Sequence, residues 1–420
     1  MLDPGLTSVS SRRIRQSNEI AVLRALHRIG PLSRADLART LRLNRSSSGH
    51  IVASLLGLGL VRETAVATAQ AEPARVGRPG ILFELVPDAV FFLGIEIGVE
   101  HIRAVVIDLE GRIVAHRAEP FDGIATPPAR ATEVAVALAL DTIAPERLGR
   151  CEGVGVTAPA QMDHDGLVRV APILGWRAVD LPALLRQVVP EALPVMVEND
   201  GNAFAIGAIY GHSAPPVGVT LFLVLETGVG AGIAIDGALV RGGHGLAGEI
   251  GHMLVPDWAE AGRMRPLETV IGLEAVLAAY AAGRGVERST LAEFLARVRD
   301  REPAAVMIAE SWSRTLAFAL VQAARLIDPD HVVLGGSLAA LYPLVSARVI
   351  AHVRAIQEAT FPIPAIVTHQ SEWASAFGAA CMLHQRFLSL EGQGAPDRPS
   401  APDGVADGAV DNAGDDGPVG

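Results

Sequence analysis

The sequence predicts an α/β protein with a separate winged helix-turn-helix at its N-terminus. Three observations predict it. Apolar β-like runs alternate with helical runs between residues 87 and 389, which argues for a mixed sheet flanked by helices. Residues 18–58 hold three short helical patterns, two of them preceded by capping residues. Charge divides the chain in the same way. Residues 1–62 carry ten Arg against Asp3, Glu19 and Asp36, a net of +7; the whole 420-residue chain is −11, so the remaining 358 residues carry −18. A basic head on an acidic body suits a head that meets a polyanion while the body does not.

In the head, residues 18–29 place Ile20, Leu23, Leu26 and Ile29 on one helical face. Gly30-Pro31 stops that helix. Ser33 then stands as an N-cap with Asp36 three positions on, the spacing of a capping box with Asp in place of Glu. Asn44 caps a third helix, which turns Ile51, Leu55 and Leu58 inward, and Leu60-Val61 begins a wing strand. The outward first turns of the third helix carry Arg45, Ser46, Ser47, Ser48 and His50. A recognition helix needs such residues, because its N-terminal part touches base edges and phosphates. Arg34 and Asn44, at the starts of the second and third helices, join them as candidate DNA contacts. Arg12, Arg13 and Arg15 are placed to serve phosphates or a minor groove, and Arg75 and Arg78 to do the same from the wing. A small helical cap or dimerisation domain competes with this reading, but three helices, both caps, the wing and the charge agree on DNA.

In the body, FFLGIEIGV, HIRAVVIDL, GRIVAHR, CEGVGVTAP, LPVMVEN and VTLFLVLE read as strands. EVAVALALDTI, NAFAIGAIYG, GLEAVLAAYAAG, TLAEFLARVRD and SRTLAFALVQAARLI read as helices. Residues 390–420 hold seven acids and one Arg without periodicity, and are expected to form a disordered acidic tail. Cys151 and Cys381 make no disulfide framework. The N-terminus lacks the apolar core of a signal peptide, and no apolar run approaches the ~20 residues of a membrane helix. A cytoplasmic protein without membrane contact is expected.

Two motifs carry the chemistry. LETGVGAGIAIDGALVRGGHGLAGEIGH, residues 225–252, puts Thr227, Gly228, Gly230 and Gly232 in a turn between two strands, where backbone N–H groups can cradle an anion. VENDGNAFA, residues 197–205, places Asn199 and Asp200 at the end of a strand and the start of a helix, where α/β sheets tend to bind ligands. Together with SRADLARTLRLNRSSSGHIVASLLGLGLVRE in the head, these stretches resemble the ROK family of sugar-responsive repressors, open reading frames and sugar kinases, and its repressor branch in particular. The resemblance runs from about residue 12 to residue 388. It implies an actin-like, ribonuclease-H-like sugar-kinase fold of two lobes around a cleft. The implied divisions are a DNA-binding domain at 1–86, a first lobe at 87–200, and a second lobe at 201–389 whose C-terminal helix returns to the first.

The resemblance also implies site residues. Asn199 and Asp200 match a sugar-binding pair whose Asp is the base in the kinases; Glu249, His252 and Glu268 match three further sugar ligands. Carboxylates and a His suit a polyol because they accept and donate hydrogen bonds in fixed directions. The phosphate elements depart from the family. Its Asp-x-Gly-Gly-Thr-Lys motif is Glu96-Ile97-Gly98-Val99-Glu100-His101 here, so Val99 adds a side chain and Glu100 a negative charge where phosphate would approach. Glu226 replaces a Gly. Gly98, Thr227, Gly228, Gly230, Gly335 and Gly336 are therefore read as a vestigial nucleotide site, with ATP binding and catalysis not expected. His252 is present, but PDWAEAGRMRPLE (residues 256–268) lacks the Cys set with which many members bind zinc, so no metal is expected. Arg42 stands where the family usually has Gly, Ser48 and Gly49 where it has an apolar residue and Ser, and Ile173 where it often has Asn.

The function implied is a sugar-responsive repressor, a homodimer or higher oligomer on double-stranded DNA with a small sugar as effector. A free sugar is preferred to a sugar phosphate, because the Asp200 carboxylate repels phosphate. The alternatives are an ATP-dependent sugar kinase with an appended DNA-binding head, favoured by Asp200, Thr227 and Gly335-Gly336, and a head that contacts protein.

Overall fold

The computed structural model describes residues 4–64, 81–211, 217–258, 260 and 262–389, with side chains from Ser17 onward except that of Arg45. Arg75, Arg78, the expected wing tip and the expected tail 390–420 lie outside the described residues, as do the side chains of Arg12, Arg13 and Arg15.

At the N-terminal end, helices Pro4–Ile29, Arg34–Thr40 and Arg45–Gly57 pack with a three-stranded antiparallel sheet. Its central strand, Leu82–Leu85, lies between Leu32–Ser33 and Val61–Thr64. Both expected caps are present. The Ser33 hydroxyl accepts from Asp36 N at 3.2 Å while the Ser33 N–H donates to the Asp36 carboxylate, and Asn44 Oδ1 accepts from Ser47 N at 2.7 Å. These bonds satisfy N–H groups that a helix start leaves without partners.

The inward faces differ from the sequence expectation at three places. Ile29 is 57% exposed and Leu58 is 64% exposed, while Val22 and Val52 are fully buried. Ile29 ends its helix before the turn at Gly30, and Leu58 caps its helix, so neither has a turn of helix beyond it to hold it inward. Ser48, read as outward, is buried beneath the Arg34 carbonyl, its Oγ 3.4 Å from that oxygen.

The body is built on two five-stranded mixed sheets. In the first, the antiparallel meander Phe91–Ile97, His101–Asp108, Ile113–Pro120 is extended through Phe91–Ile97 by the parallel strands Cys151–Ala158 and Val195–Asn199. The second repeats this order. The meander Val219–Leu225, Val229–Ile235, Ala238–Leu239 is extended through Val219–Leu225 by the parallel strands His331–Gly335 and Ala365–Thr368. Between the sheets run two helices, Asp200–Tyr210 (the site helix) and Ala374–Phe387 (the C-terminal helix). The site helix packs on the second sheet and the C-terminal helix on the first, and the two pack on each other. Both are apolar nearly all round, as burial on every side requires.

Helices Pro303–Ile327 and Ser337–Ile356 are long and apolar enough to cross a membrane by length and composition alone, but each is interrupted by charged residues, Glu310, Arg314 and Arg325 in one and Arg348 and Arg354 in the other. Each contributes to the core packed against the second sheet, through Trp312, Leu316 and Leu320 on one and Val345, Val349 and Val353 on the other. Cys151 and Cys381 are buried free thiols.

Arg42, between the second and third helices, has φ of 52°, in the left-handed region. That conformation costs a side-chain-bearing residue about 1–2 kcal/mol, partly offset by the larger unfolded-state entropy of Gly. Arg42→Gly should stabilise the protein by about 0.5–1 kcal/mol in urea unfolding.

Candidate functional site

Strand Val195–Asn199 delivers Asn199 to the start of the site helix, where its Oδ1 caps Asn202 N at 3.1 Å. Its amide is then free to donate at the other side, to the Ala160 carbonyl at 3.0 Å and to Asp200 Oδ1 at 3.1 Å. Asp200 Oδ1 also accepts from Gly201 N at 2.8 Å. Glu198, one residue before Asn199, accepts from Asn202 Nδ2 at 3.0 Å and from Arg241 Nε at 2.9 Å. Arg241 belongs to the segment leading to Glu249, so this ion pair ties the two halves of the site together.

Glu249 precedes a single 3-10 turn, Ile250–His252, and its Oε2 accepts from Gln161 Nε2 at 3.1 Å. The His252 ring stands between two carboxylates, 3.7 Å from Glu249 Oε2 and 3.6 Å from Glu268 Oε1. Asn199, Asp200, Glu249, His252 and Glu268 line one pocket. Carboxylates at several heights around one His offer a polyol acceptors on several sides. Among the described residues, no group of three or more His, Cys, Asp or Glu is arranged to hold a metal ion.

The pocket is acidic, and burial shifts its acids. Burial raises Asp200 to about 6, with Glu249 and Glu226 adding repulsion. It raises Glu96 to about 7; Arg103, whose Nη1 lies 3.2 Å from Glu96 Oε1 across paired strands, opposes the rise, while Asp200 and Glu226 add to it. Glu249 is also raised by burial, with the Gln161 bond opposing.

The expected phosphate elements sit beside this pocket. Gly98 N bonds the His101 carbonyl and closes a tight strand turn. Gly98, Thr227, Gly228 and Gly230 line the pocket, as do Val99 and Glu100. Gly230 and Gly232 lie within strand Val229–Ile235, paired with Val224 and Phe222, and not in the turn the sequence suggested. A Cβ at Gly230 would stand 3.2 Å from Asp200 Oδ1, and one at Gly228 3.3 Å from Glu268 Oε2 and 2.8 Å from Ile173 Cδ1. The pocket continues into a cavity of about 1190 Å³ that Gly336 and Ser337 line. Gly335 faces Phe204 at close range instead. Glu226 Oε1 accepts from Ser337 N and its Oε2 from Ser337 Oγ, both at 2.7 Å. The carboxylate thus occupies the Ser337 backbone donor at this turn.

In the head, Arg34, Asn44, Ser46 and His50 are exposed and Ser47 is half-buried. The Arg34 guanidinium lies 5.2 Å from the Phe83 ring centre, and His50 Nδ1 is 2.8 Å from the Ser46 carbonyl. Gln161, Arg103, Glu198 and Arg241 belong to the site and went unread. Only Gln161 had a local signal, as a polar residue just past the end of strand Cys151–Ala158.

Asp200→Asn keeps an oxygen for both accepted bonds and removes the buried charge. The folded chain holds this proton up to about pH 6, well above the unfolded carboxylate, so the charge burdens folding above about pH 6 and not below about pH 4. The variant should melt higher than the wild type at pH 8, by the equivalent of about 1–3 kcal/mol, and equally at pH 3.5.

The sequence profile of the ROK family matches residues 92–386. The xylose repressor of Bacillus subtilis (strain 168) is 26% identical over 248 residues, covering 58% of this chain and 61% of that protein. The chain thus aligns with less than two thirds of that relative's length. A ROK family transcriptional regulator homologous to the Escherichia coli MLC protein superposes with a TM-score of 0.68 at 22% identity, over 89% of this chain and 96% of its own. The ROK glucokinase of Streptomyces griseus, solved with glucose and AMPPNP, superposes with a TM-score of 0.61 at 26% identity, over 70% of this chain and 99% of its own. The profile spans most of the body, and the two-sheet fold agrees with it: the chain belongs to the ROK family.

Proposed function

We propose that this protein is a sugar-responsive DNA-binding transcriptional regulator, acting as a repressor, whose kinase-like body binds a sugar and does not phosphorylate it. One observation carries the reading. Five polar residues suited to a polyol share a pocket, while Glu226 occupies the backbone donor of the adjacent phosphate turn. Val99 and Glu100 add bulk and negative charge beside it. The names of the xylose repressor and the ROK regulator support the same reading.

In this reading residues 1–86 form a winged helix-turn-helix, with helix Arg45–Gly57 as its recognition helix. Residues 87–200 and 201–389 are the two lobes. Neither ATP nor zinc is required. A cytoplasmic homodimer presents two heads to double-stranded DNA, and a free sugar in the cleft alters their spacing.

A second reading, an ATP-dependent sugar kinase with a DNA-binding head, is favoured by Asp200 in the pocket and by the likeness to a glucokinase. Sugar-dependent ADP release from the purified protein, abolished by Asp200→Ala, would establish it.

Gel shifts on the DNA upstream of the protein's own gene test the regulator. A specific shift that D-xylose, D-glucose or N-acetyl-D-glucosamine changes is expected; no specific shift would sink the reading. Arg34→Ala should weaken binding to all DNA sequences alike and reduce the log–log salt slope by about 1. Sugar affinity, read by calorimetry, should fall as pH drops below about 6, because protonated Asp200 loses its anionic acceptor.

A further inference from the structure

The site helix Asp200–Tyr210 has the sugar pocket at its first turn and a cluster of three rings at its last residue. The Tyr210 hydroxyl bonds His384 Nδ1. His384 Nε2 lies 2.8 Å from the Leu109 carbonyl oxygen. A carbonyl only accepts, so Nε2 carries the proton, Nδ1 is bare, and the tyrosine donates. His384 is fully buried, which lowers its pKa to about 4 and keeps the ring neutral. The direction of both bonds is therefore set.

The third ring is His27, near the end of the long head helix Pro4–Ile29. Its centre is 4.9 Å from that of His384 and 5.4 Å from that of Tyr210. Arg24, about one turn earlier, donates from Nε and Nη2 to the Leu388 carbonyl at 3.1 and 2.7 Å. The head helix is thus fastened to the body at the place where the site helix and the C-terminal helix both end.

Little between the pocket and this cluster can yield. The site helix is about 16 Å long at 1.5 Å per residue. It meets the C-terminal helix backbone to backbone: a Cβ on Gly207 would stand 2.7 Å from the Ala374 carbonyl oxygen, and one on Gly378 1.7 Å from that of Ala203. No layer of side chains lies at that crossing to absorb a displacement.

We propose that Tyr210, His384 and His27 form the joint through which the sugar pocket positions the head. Sugar held at Asn199 and Asp200 displaces the site helix as a rod, and the rings pass the displacement to helix Pro4–Ile29. The three are positioning residues; none lines the sugar pocket or belongs to the DNA-contact set. The proposal rests on the reading of the cleft as a sugar site.

Hydrogen–deuterium exchange on the full-length protein tests it, with D-xylose, D-glucose and N-acetyl-D-glucosamine each added in turn. In the wild type, a sugar that changes exchange at residues 199–206 should also change it at residues 17–29. In Tyr210→Phe and in His27→Leu, the response at 199–206 should persist and that at 17–29 should fall several-fold, with melting temperatures recorded alongside. If Tyr210→Phe fails to fold, His27→Leu carries the test. A wild-type response confined to the pocket, or a full head response in folded variants, overturns the joint and leaves the sugar site standing. No response at 199–206 to any of the three sugars counts against the sugar site itself, and the joint falls with it.

Discussion

Gly378 brings the C-terminal helix so near the site helix that a Cβ there would lie 1.7 Å from the Ala203 carbonyl oxygen. Much of the body is arranged around this contact. Each helix is covered on its other side by a sheet, so the crossing sets how far apart the two sheets stand and where the cleft between them opens. The same closeness recurs between the C-terminal helix and the first sheet, where a Cβ on Gly94 or Gly155 would stand 2.0 Å from a helix carbonyl. Interiors packed this densely respond to displacement as units and not by gradual deformation. The site helix begins with Asn199 as its cap and Asp200 in its first turn, so the cleft chemistry is attached to one of the two helices of this crossing.

The electrostatics of the cleft favour neutral ligands over anionic ones. Glu96, Glu100, Asp200, Glu226, Glu249 and Glu268 all line the pocket, against Arg103, His101 and His252. Burial of Glu96 and Asp200 raises both, which signals that further negative charge is unwelcome. An anion approaching the Ser337 donors would have to displace Glu226 and lie beside the remaining acids. A polyol brings hydroxyl donors without charge, and carboxylates accept those well.

The head's helix starts are held by local chemistry, as is the start of the site helix in the body. In the head, Ser33 with Asp36 and Asn44 do this, side chains within three residues of the groups they satisfy. The head's attachment is another matter. Arg24 reaches the Leu388 carbonyl and the His27 ring packs tilted against that of His384, so among the described residues the first helix closes on the last. The head is held at the cost of a buried, neutral histidine, whose two nitrogens are both satisfied.

What could be read from the sequence was what neighbouring residues dictate. The caps, the stop at Gly30, the strand and helix runs and the Asn-Asp and Gly-rich motifs depend on side chains a few positions apart, and so leave a pattern in one dimension. The five polar pocket residues were brought into one set only through a family resemblance, since Glu268 by itself is an ordinary acid. Other features had no local trace. The second sheet repeats the strand order of the first, and that order is set by packing and connection rather than by any one residue. Gln161 meets Glu249 across 88 positions, Glu226 meets Ser337 across 111, and Tyr210 meets His384 across 174. Ile29 and Leu58 fit the helical period yet face solvent, because the period says which residues share a face and not where the covering elements end. By itself the sequence determined the elements, the caps and the chemical character of the cleft. Only the tertiary structure decided which distant side chains meet, because such meetings are set by backbone approach, and backbone approach is recorded in no local run of residues.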